Sequence, residues 1–361
     1  MQNFIRVRSR GVLQARQLRL AAALGAAVAV TGAVAAAGQA AVTHRSAIAS
    51  HSRVTSGFER PRLHARQLDI VGTDGSDRIA LRLENGRPDV LQVDIGDDGS
   101  PDFSFHRQSF DSILVDARGG DDLVRIDESA GAFTNTVPTT IAGGDGNDTL
   151  NGGSGNELFL GGNGNDTIDG NGGNDIAFMG SGDDRFIWDP GDGSDRIEGE
   201  GGNDTMLFNG AAGPEQFDLS ANGNRLRFFR TQGAITMDTA GVEQVDINAL
   251  GGADTITVNN LTATDVTAVN ANLAATLGGN TGDGQIDRVV VNGTDGNDTI
   301  DVSGDAGGVK VSGLAATIGI LHAEAANDRL EINTLAGTDS VTSGGLAAGA
   351  IKLLVDGALV P

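Results

Sequence analysis

The chain has no cysteine and no tyrosine, and aromatic residues make up only 4% of its 361 residues. Without cysteine it can form neither disulfides nor thiolate metal sites. So low an aromatic content excludes a large aromatic core, but it is compatible with thin stacked coils lined by Leu, Ile and Val. An exported protein without disulfides needs another means of stabilisation, and a bound metal ion is the obvious one.

Basic residues are scarce as well: 25 Lys and Arg stand against 48 Asp and Glu, which gives a formal net charge of −23. Five of the arginines lie in the first forty residues, where there is no acid, so the rest of the chain is more acidic still. This charge disfavours nucleic acids and anionic membranes as partners and favours cations. An acidic surface kept only for solubility is the alternative, but it does not explain why the aspartates are regularly spaced.

Glycine, in contrast, is abundant, with 55 residues, and much of it belongs to a nine-residue repeat between Gly143 and Leu207. The repeat follows the template G-G-x-G-x-D-x-U-x, in which U is a large apolar residue. Ordinary Gly-Asn-Asp turns between unrelated strands would not keep one frame, which here is shifted only by the insertion Trp188-Asp189. The sixth position of each copy is a carboxylate: Asp148, Glu157, Asp166, Asp175, Asp184, Asp195 and Asp204.

The spacing predicts a tight turn followed by a very short strand. Glycines at the first, second and fourth positions admit backbone angles closed to other residues, so six residues can turn with their carbonyls facing inwards. The middle residue of each strand then faces the core. Two nonapeptides make one coil, so alternate turns stack on the same side. Asp148, Asp166 and Asp184 are predicted to form one column, and Glu157 and Asp175 begin the other.

Stacked turns place successive carboxylates about one strand spacing apart, ~4.8 Å. Without compensation the acids of each column would repel one another. Calcium ions between the turns remove this repulsion, because carboxylate and carbonyl oxygens can supply the roughly six to eight hard ligands that Ca²⁺ takes. The sequence therefore predicts Ca²⁺ as the cofactor. We also expect the block to be disordered without it, since the apolar core is thin.

The block resembles the parallel β-roll of RTX (haemolysin-type) calcium-binding repeat proteins, which are secreted by bacteria. The resemblance implies an all-β fold, with a right-handed parallel β-roll or β-solenoid over residues 143–207. It also implies that the sixth-position carboxylates bridge calcium ions, while carbonyls of the glycines and of the third-position residues complete the coordination shell. Between the turns of Asp148 and Asp166, those carbonyl ligands would come from Gly144, Asp145, Gly162 and Asn163.

Two departures from the family pattern carry expectations of their own. Glu157 has a longer side chain than aspartate, which puts the ion between it and Asp175 in question. The insertion Trp188-Asp189 is expected to interrupt the stack before Asp195 and Asp204.

A longer repeat surrounds the block. Turns similar to the nonapeptide turn occur in pairs about forty residues apart, and each pair encloses short β patterns. The two turns of the first pair end at Asp77 and Asp122, those of the second at Glu215 and Asp254, and those of the third at Asp298 and Asp339. We expect residues 68–142 to hold one such copy and residues 208–361 two, folded as further solenoid coils or as β-sandwich-like caps. Only Val266–Leu277 hints at a helix.

Residues 1–40 have the features of a secretory signal. Arginines precede an apolar, alanine-rich run from Leu20 to Ala37, and Gly38-Gln39-Ala40 offers small residues for cleavage. An uncleaved membrane anchor is the alternative, because the run approaches the length needed to span a bilayer. We expect cleavage, secretion and no membrane insertion afterwards. Residues 41–67 show no periodicity and are predicted to be a flexible leader.

No catalytic motif stands out. None of the histidines lies in a His-Glu-x-x-His zinc motif, and no serine lies in Gly-x-Ser-x-Gly. A carboxylate pair for glycoside chemistry stays open, because the acids are too numerous for spacing to select two. Two hypotheses follow. One is a secreted calcium-binding protein with a structural or cell-surface role and no enzymatic activity. The other is a calcium-stabilised solenoid that acts on or adheres to polysaccharide.

Overall fold

A computed structural model of the protein describes residues 57–360, which form two long β-sheets of 15 and 14 strands. The predicted signal and residues 41–56 of the predicted leader lie outside the described residues. The sheets share one hydrophobic core that extends from Phe58 to Leu353. The boundaries at residues 142/143 and 207/208, drawn from the sequence, both fall inside strands.

The elements are named here in chain order. Before the block come β1 (Arg62–His64), β2 (Gln67–Val71), β3 (Arg78–Glu84), β4 (Arg87–Ile95), β5 (Phe103–His106), a 3₁₀ helix (Arg107–Ser109), β6 (Ser112–Gly119) and β7 (Leu123–Asp127). The strands of the block are β8 (Thr139–Asp145), β9 (Thr149–Asn151), β10 (Leu158–Asn163), β11 (Thr167–Asp169), β12 (Ile176–Ser181), β13 (Arg185–Trp188), β14 (Arg196–Gly201) and β15 (Thr205–Asn209).

The strands that follow the block fall into two runs. The first is β16 (Gln216–Asn222), β17 (Arg225–Arg230), a 3₁₀ helix (Gln232–Ala234), β18 (Ile235–Ala240), β19 (Gln244–Asn248), β20 (Thr255–Val258), β21 (Ala268–Asn272) and β22 (Arg288–Asn292). The second is β23 (Thr299–Asp305), β24 (Gly308–Ser312), β25 (Thr317–Leu321), β26 (Arg329–Asn333), β27 (Ser340–Leu346), β28 (Lys352–Val355) and β29 (Ala358–Leu359).

Within the block, successive strands alternate between the two sheets and pair in parallel with the strands one coil away. The register confirms the predicted β-roll: β9 and β11 pair Leu150 with Ile168, and β11 and β13 pair Ile168 with Phe186. Each three-residue strand buries only its middle residue. The core of each coil is therefore thin, as the nonapeptide period predicts.

The flanks are further coils of the same stack. In each pair of long-spaced turns the chain between them includes three consecutive antiparallel strands: β3–β4–β5, β16–β17–β18 and β23–β24–β25. A flanking repeat of about forty residues is thus one coil enlarged by extra strands. The solenoid interpretation is the one that the fold supports, rather than separate sandwiches.

Three local expectations differ from the structure. Residues 57–67 are not a flexible leader throughout, because Phe58 is buried and β1 pairs antiparallel with β2, where it covers an otherwise open sheet edge. The helix hinted at over Val266–Leu277 is instead β21, whose Val269 and Ala271 face the core. The insertion Trp188-Asp189 does not interrupt the stack. Among residues 57–360 no helix has the length and apolar content to cross a bilayer.

The insertion is accommodated because its first residue joins the core. The Trp188 ring is fully buried and stacks on the Phe208 ring at 3.9 Å between centroids. Its indole N–H donates to the carbonyl of Gly193 (2.8 Å), which closes the enlarged turn. Strands β12 and β14 consequently stay in register, with Ala177 opposite Ile197.

Candidate metal centre

The sixth-position aspartates on one side of the roll form a continuous line, here called the first ladder. The backbone N–H of Asp148 donates to Oδ1 of Asp166 (2.8 Å), and that of Asp166 donates to Oδ1 of Asp184 (2.7 Å). The N–H of Asp184 likewise donates to Oδ1 of Asp204 (2.8 Å). The structure thus brings Asp148, Asp166 and Asp184 together as predicted, and it adds Asp204 beyond the insertion.

The opposite side carries a second ladder of three residues. The N–H of Glu157 donates to Oδ1 of Asp175 (2.6 Å), and that of Asp175 donates to Oδ1 of Asp195 (2.8 Å). Glu157 departs from the aspartates, because its longer side chain folds back and its Oε2 accepts the N–H of Gly153 in its own turn (2.8 Å). Asp195 aligns with Asp175 despite the insertion, so the expected break before it is wrong.

One oxygen of nearly every ladder carboxylate is buried without a hydrogen-bond partner among the described residues. These oxygens are Oδ2 of Asp122, Asp148, Asp166, Asp175, Asp184 and Asp204, and Oε1 of Glu157. A buried anionic oxygen without a partner is costly, on the order of several kcal/mol, unless a cation or donor compensates it. These oxygens mark where a cation would bind.

Most glycines at the first, second and fourth positions of the turns leave no space for a side chain. A Cβ on Gly143 would lie 2.2 Å from Oδ2 of Asp148, so a side chain at Gly143 would displace that carboxylate. A Cβ on Gly162, whose φ is +126°, would lie 2.0 Å from the carbonyl oxygen of Gly144 in the neighbouring turn. Glycine carbonyls of one turn therefore lie directly against the next turn, where carboxylates and carbonyls line a common gap.

Burial dominates the electrostatics of both ladders. It raises the pKa of Asp148 to about 6, that of Asp166 to about 8 and that of Asp204 to about 7. In the second ladder, burial followed by the charge of Asp195 raises the pKa of Asp175 to about 10. In the absence of a cation, the folded protein therefore disfavours ionisation of these carboxylates near neutral pH.

The third-position residues named by the resemblance contribute to the stack through their main chain. The carbonyl of Asp145 accepts the N–H of Gly120 (2.7 Å), and that of Asn163 accepts the N–H of Gly146 (2.7 Å). The side chains of Asp145 and Asn163 bond to each other at the surface (2.6 Å). Each of these carbonyls keeps a second lone pair, so a role as calcium ligand stays a prediction.

The fifth position, which the template leaves open, also forms a ladder. Oδ1 of Asn147 accepts the N–H of Asn165 (2.7 Å), and Oδ1 of Asn165 accepts the N–H of Asp183 (2.9 Å). This ladder runs in the opposite direction to that of the sixth position. The recurrent Asn-Asp pair was the available signal, since both side chains have an oxygen that can accept a backbone N–H.

Sequence reasoning also missed Asp122 as a member of the first ladder. Its N–H donates to Oδ1 of Asp148 (2.8 Å), and its own Oδ1 accepts the N–H of Asp77 (2.6 Å). The sequence indicates a turn at Arg118–Asp122, but Arg118 occupies the second position, where the template has glycine. Arg118 adopts the left-handed backbone (φ 76°) that this position requires.

The donor set fits calcium better than a transition metal. Among residues 57–360, no three His, Asp or Glu side chains converge as a metal cluster. What the turns offer instead is one free carboxylate oxygen per turn, together with main-chain carbonyls. An all-oxygen set of this kind suits Ca²⁺, whose coordination number is high and whose geometry is flexible.

Fold and site together define a calcium-binding β-roll protein. Comparison with family models supports this conclusion. The RTX calcium-binding nonapeptide repeat (4 copies) matches residues 139–168, 151–186 and 191–210. The block therefore consists of RTX calcium-binding repeats, and these repeats bind Ca²⁺. No curated protein matches the chain.

Proposed function

We propose that calcium ions bind between successive turns of the block and complete its folding. The observation that carries this proposal is the row of buried carboxylate oxygens without partners in both ladders. A cation in each gap would pair these oxygens and permit full ionisation at neutral pH. Without it, the folded state must keep protons on buried acids or hold unpaired charge, and the thin core has little free energy to offset either cost.

Far-UV circular dichroism during a calcium titration tests this proposal. We expect the metal-free protein to lose much of its β signal at pH 7.5, and added Ca²⁺ to restore it. Mg²⁺ at the same concentration serves as the control, because it demands a small octahedral site and keeps its water ligands. An identical spectrum in excess chelator and in calcium would count against calcium-dependent folding.

We further propose that the protein works outside the cell, in a structural or cell-surface role. RTX repeats are typical of secreted proteins, and the acidic composition suits an environment rich in divalent cations. Fractionation of cells into medium, envelope and cytoplasm, followed by N-terminal sequencing of the secreted form, tests both export and cleavage near residue 40. Accumulation of the uncleaved chain in the cytoplasm would contradict this proposal.

The proposed role is non-catalytic. In its support, the buried acids of the ladders are engaged in the stack, where one oxygen of each of Asp166, Asp175 and Asp184 already accepts a backbone N–H. His322 contacts Oδ1 of Asn272 through its Nδ1 (2.7 Å), at the end of a ladder of asparagines, rather than an acid. Assays for polysaccharide depolymerisation and binding to a glycan array test the alternative. Turnover or saturable binding of a defined polysaccharide would replace the structural role.

A further inference from the structure

A third line of acids lies in the C-terminal flank, outside the residues that match the RTX repeat. The N–H of Glu215 donates to Oδ1 of Asp254 (2.8 Å), that of Asp254 to Oδ1 of Asp287 (2.8 Å), and that of Asp287 to Oδ1 of Asp328 (3.0 Å). This flank ladder repeats the bonding of the first ladder. The turns at Glu215 and Asp254 resemble the nonapeptide turn in sequence, but their long spacing alone did not mark these acids as metal ligands.

The middle of the flank ladder contains a buried carboxyl oxygen without a partner. Asp254 is 1% exposed, and its Oδ2 has no hydrogen-bond partner among residues 57–360. A second acid reaches the same turn, because Oδ2 of Asp283 accepts the N–H of Gly252 (2.6 Å). No arginine or lysine within the described range forms a salt bridge with Asp254, Asp283 or Asp287.

The two ends of the flank ladder differ from its middle, because the side chain of the acid at each end has a further partner outside the ladder. Glu215 forms a buried salt bridge with Arg230. At the other end, Oδ2 of Asp328 accepts the N–H of Glu324 (2.6 Å). Asp254, in contrast, keeps a buried oxygen without a partner among residues 57–360.

We propose that the C-terminal flank binds a calcium ion at Asp254, between the turns 250–254 and 282–287, with Asp283 as a second acidic ligand. Main-chain carbonyls of the two turns would supply the remaining oxygens, as in the block. The site is separate from the RTX repeats, and it stands on the unpaired Asp254 oxygen rather than on calcium-dependent folding of the block.

Equilibrium dialysis of the full chain against radioactive Ca²⁺ tests this site by counting ions. Asp254→Asn removes the charge but keeps the Oδ1 acceptor for Glu215, so the ladder bond survives. We expect this variant to bind one calcium ion fewer per chain than the unmodified protein. Glu331→Gln is the matched control, because it removes an acid of the same flank that is already paired with Arg288, and it should keep the full count.

Two further variants make the result decisive. Asp283→Asn changes a partly exposed residue and should leave the fold intact. We expect it to weaken the binding of calcium at the last-filled site about tenfold. If Asp254→Asn fails to fold, the affinity of Asp283→Asn is the decisive measurement. Asp166→Asn reports on the block alone, so failure of the block and failure of the flank site are distinguishable. Full calcium counts and unchanged affinities in both Asp254→Asn and Asp283→Asn would overturn the proposal.

Discussion

Asp166 and Glu157 occupy different places in their ladders, which predicts unequal effects of removing their charges. Asp166 lies between Asp148 and Asp184, so it borders two gaps between turns. Glu157 borders the gap towards Asp175. On its other side the acid is Glu128, whose two oxygens already accept the backbone N–H groups of Phe133 and Ser154, so no free carboxylate oxygen is left there for an ion. Asp166→Asn should therefore lose up to two calcium ions, whereas Glu157→Gln should lose at most one.

The magnitude follows from mass action. An ion present at about 100 times its dissociation constant stabilises the folded state by ~2.7 kcal/mol. Losing two ions then costs roughly twice the free energy of unfolding that losing one costs. In metal-free buffer this cost is expected to vanish, because Asp166→Asn removes a buried carboxyl group that has an unpaired oxygen while it keeps the acceptor for Asp148. The substitution should then be neutral or stabilising.

Isothermal titration calorimetry gives the ion count, and urea unfolding with and without calcium gives the free energies. Asp145→Asn is the control: its side chain is exposed, and the substitution leaves its main-chain carbonyl in place, so all ions should be retained. Equal losses of ions and stability in Asp166→Asn and Glu157→Gln would refute the assignment of gaps to the two ladders.

Two further predictions concern pH and glycine. The ladder pKa values are raised in the folded state, so the stability that these groups contribute to the metal-free fold is largest below pH ~4 and falls as pH rises, by up to ~1.4 kcal/mol per pH unit for each group. For Asp166 the loss of stability continues to about pH 8. Circular dichroism of the metal-free protein should therefore show more β-structure at pH 5 than at pH 8. The opposite trend would contradict the argument that burial raises these pKa values. Gly162→Ala should destabilise the calcium-loaded protein by at least ~2 kcal/mol, because of its positive φ and the clash with Gly144. Gly172→Ala, whose Cβ would meet nothing nearer than 3.5 Å, should cost less than ~1 kcal/mol in thermal unfolding, and equal costs would contradict the packing argument.

Much of the block could be predicted because its period couples backbone geometry to burial. Nine residues fix a turn and a strand, so the register of Leu150 with Ile168 and the stacking of Asp148 on Asp166 both follow from counting. The insertion could not be judged in the same way. Whether two extra residues break a stack depends on whether Trp188 finds a partner in the core, and Phe208 lies 20 positions further along the chain.

The flanks show where counting fails for a different reason. Their spacing of about forty residues predicted further coils, but not the antiparallel strands that enlarge each coil, because a short β pattern alternates in the same way in parallel and antiparallel pairing. Nor did the sequence distinguish asparagines that stabilise the stack. Nδ2 of Asn248 donates to Oδ1 of Asn209 (2.7 Å), and Nδ2 of Asn272 donates to Oδ1 of Asn248 (2.8 Å). These residues align only once the variable inserts between them have been removed.

The second position of each turn separates carboxylates that the protein satisfies by itself from those that need a cation. At Asp77 the second residue is Thr73, whose N–H and hydroxyl both donate to Oδ2 (2.5 and 3.0 Å). Thr294 donates in the same way to Asp298. In the block that position is held by a residue without a hydroxyl, in most turns glycine as at Gly162, and Oδ2 of Asp166 has no partner among the described residues. A glycine here admits the close approach of the next turn but removes a hydroxyl donor, so the same choice that tightens the stack also creates the demand for calcium.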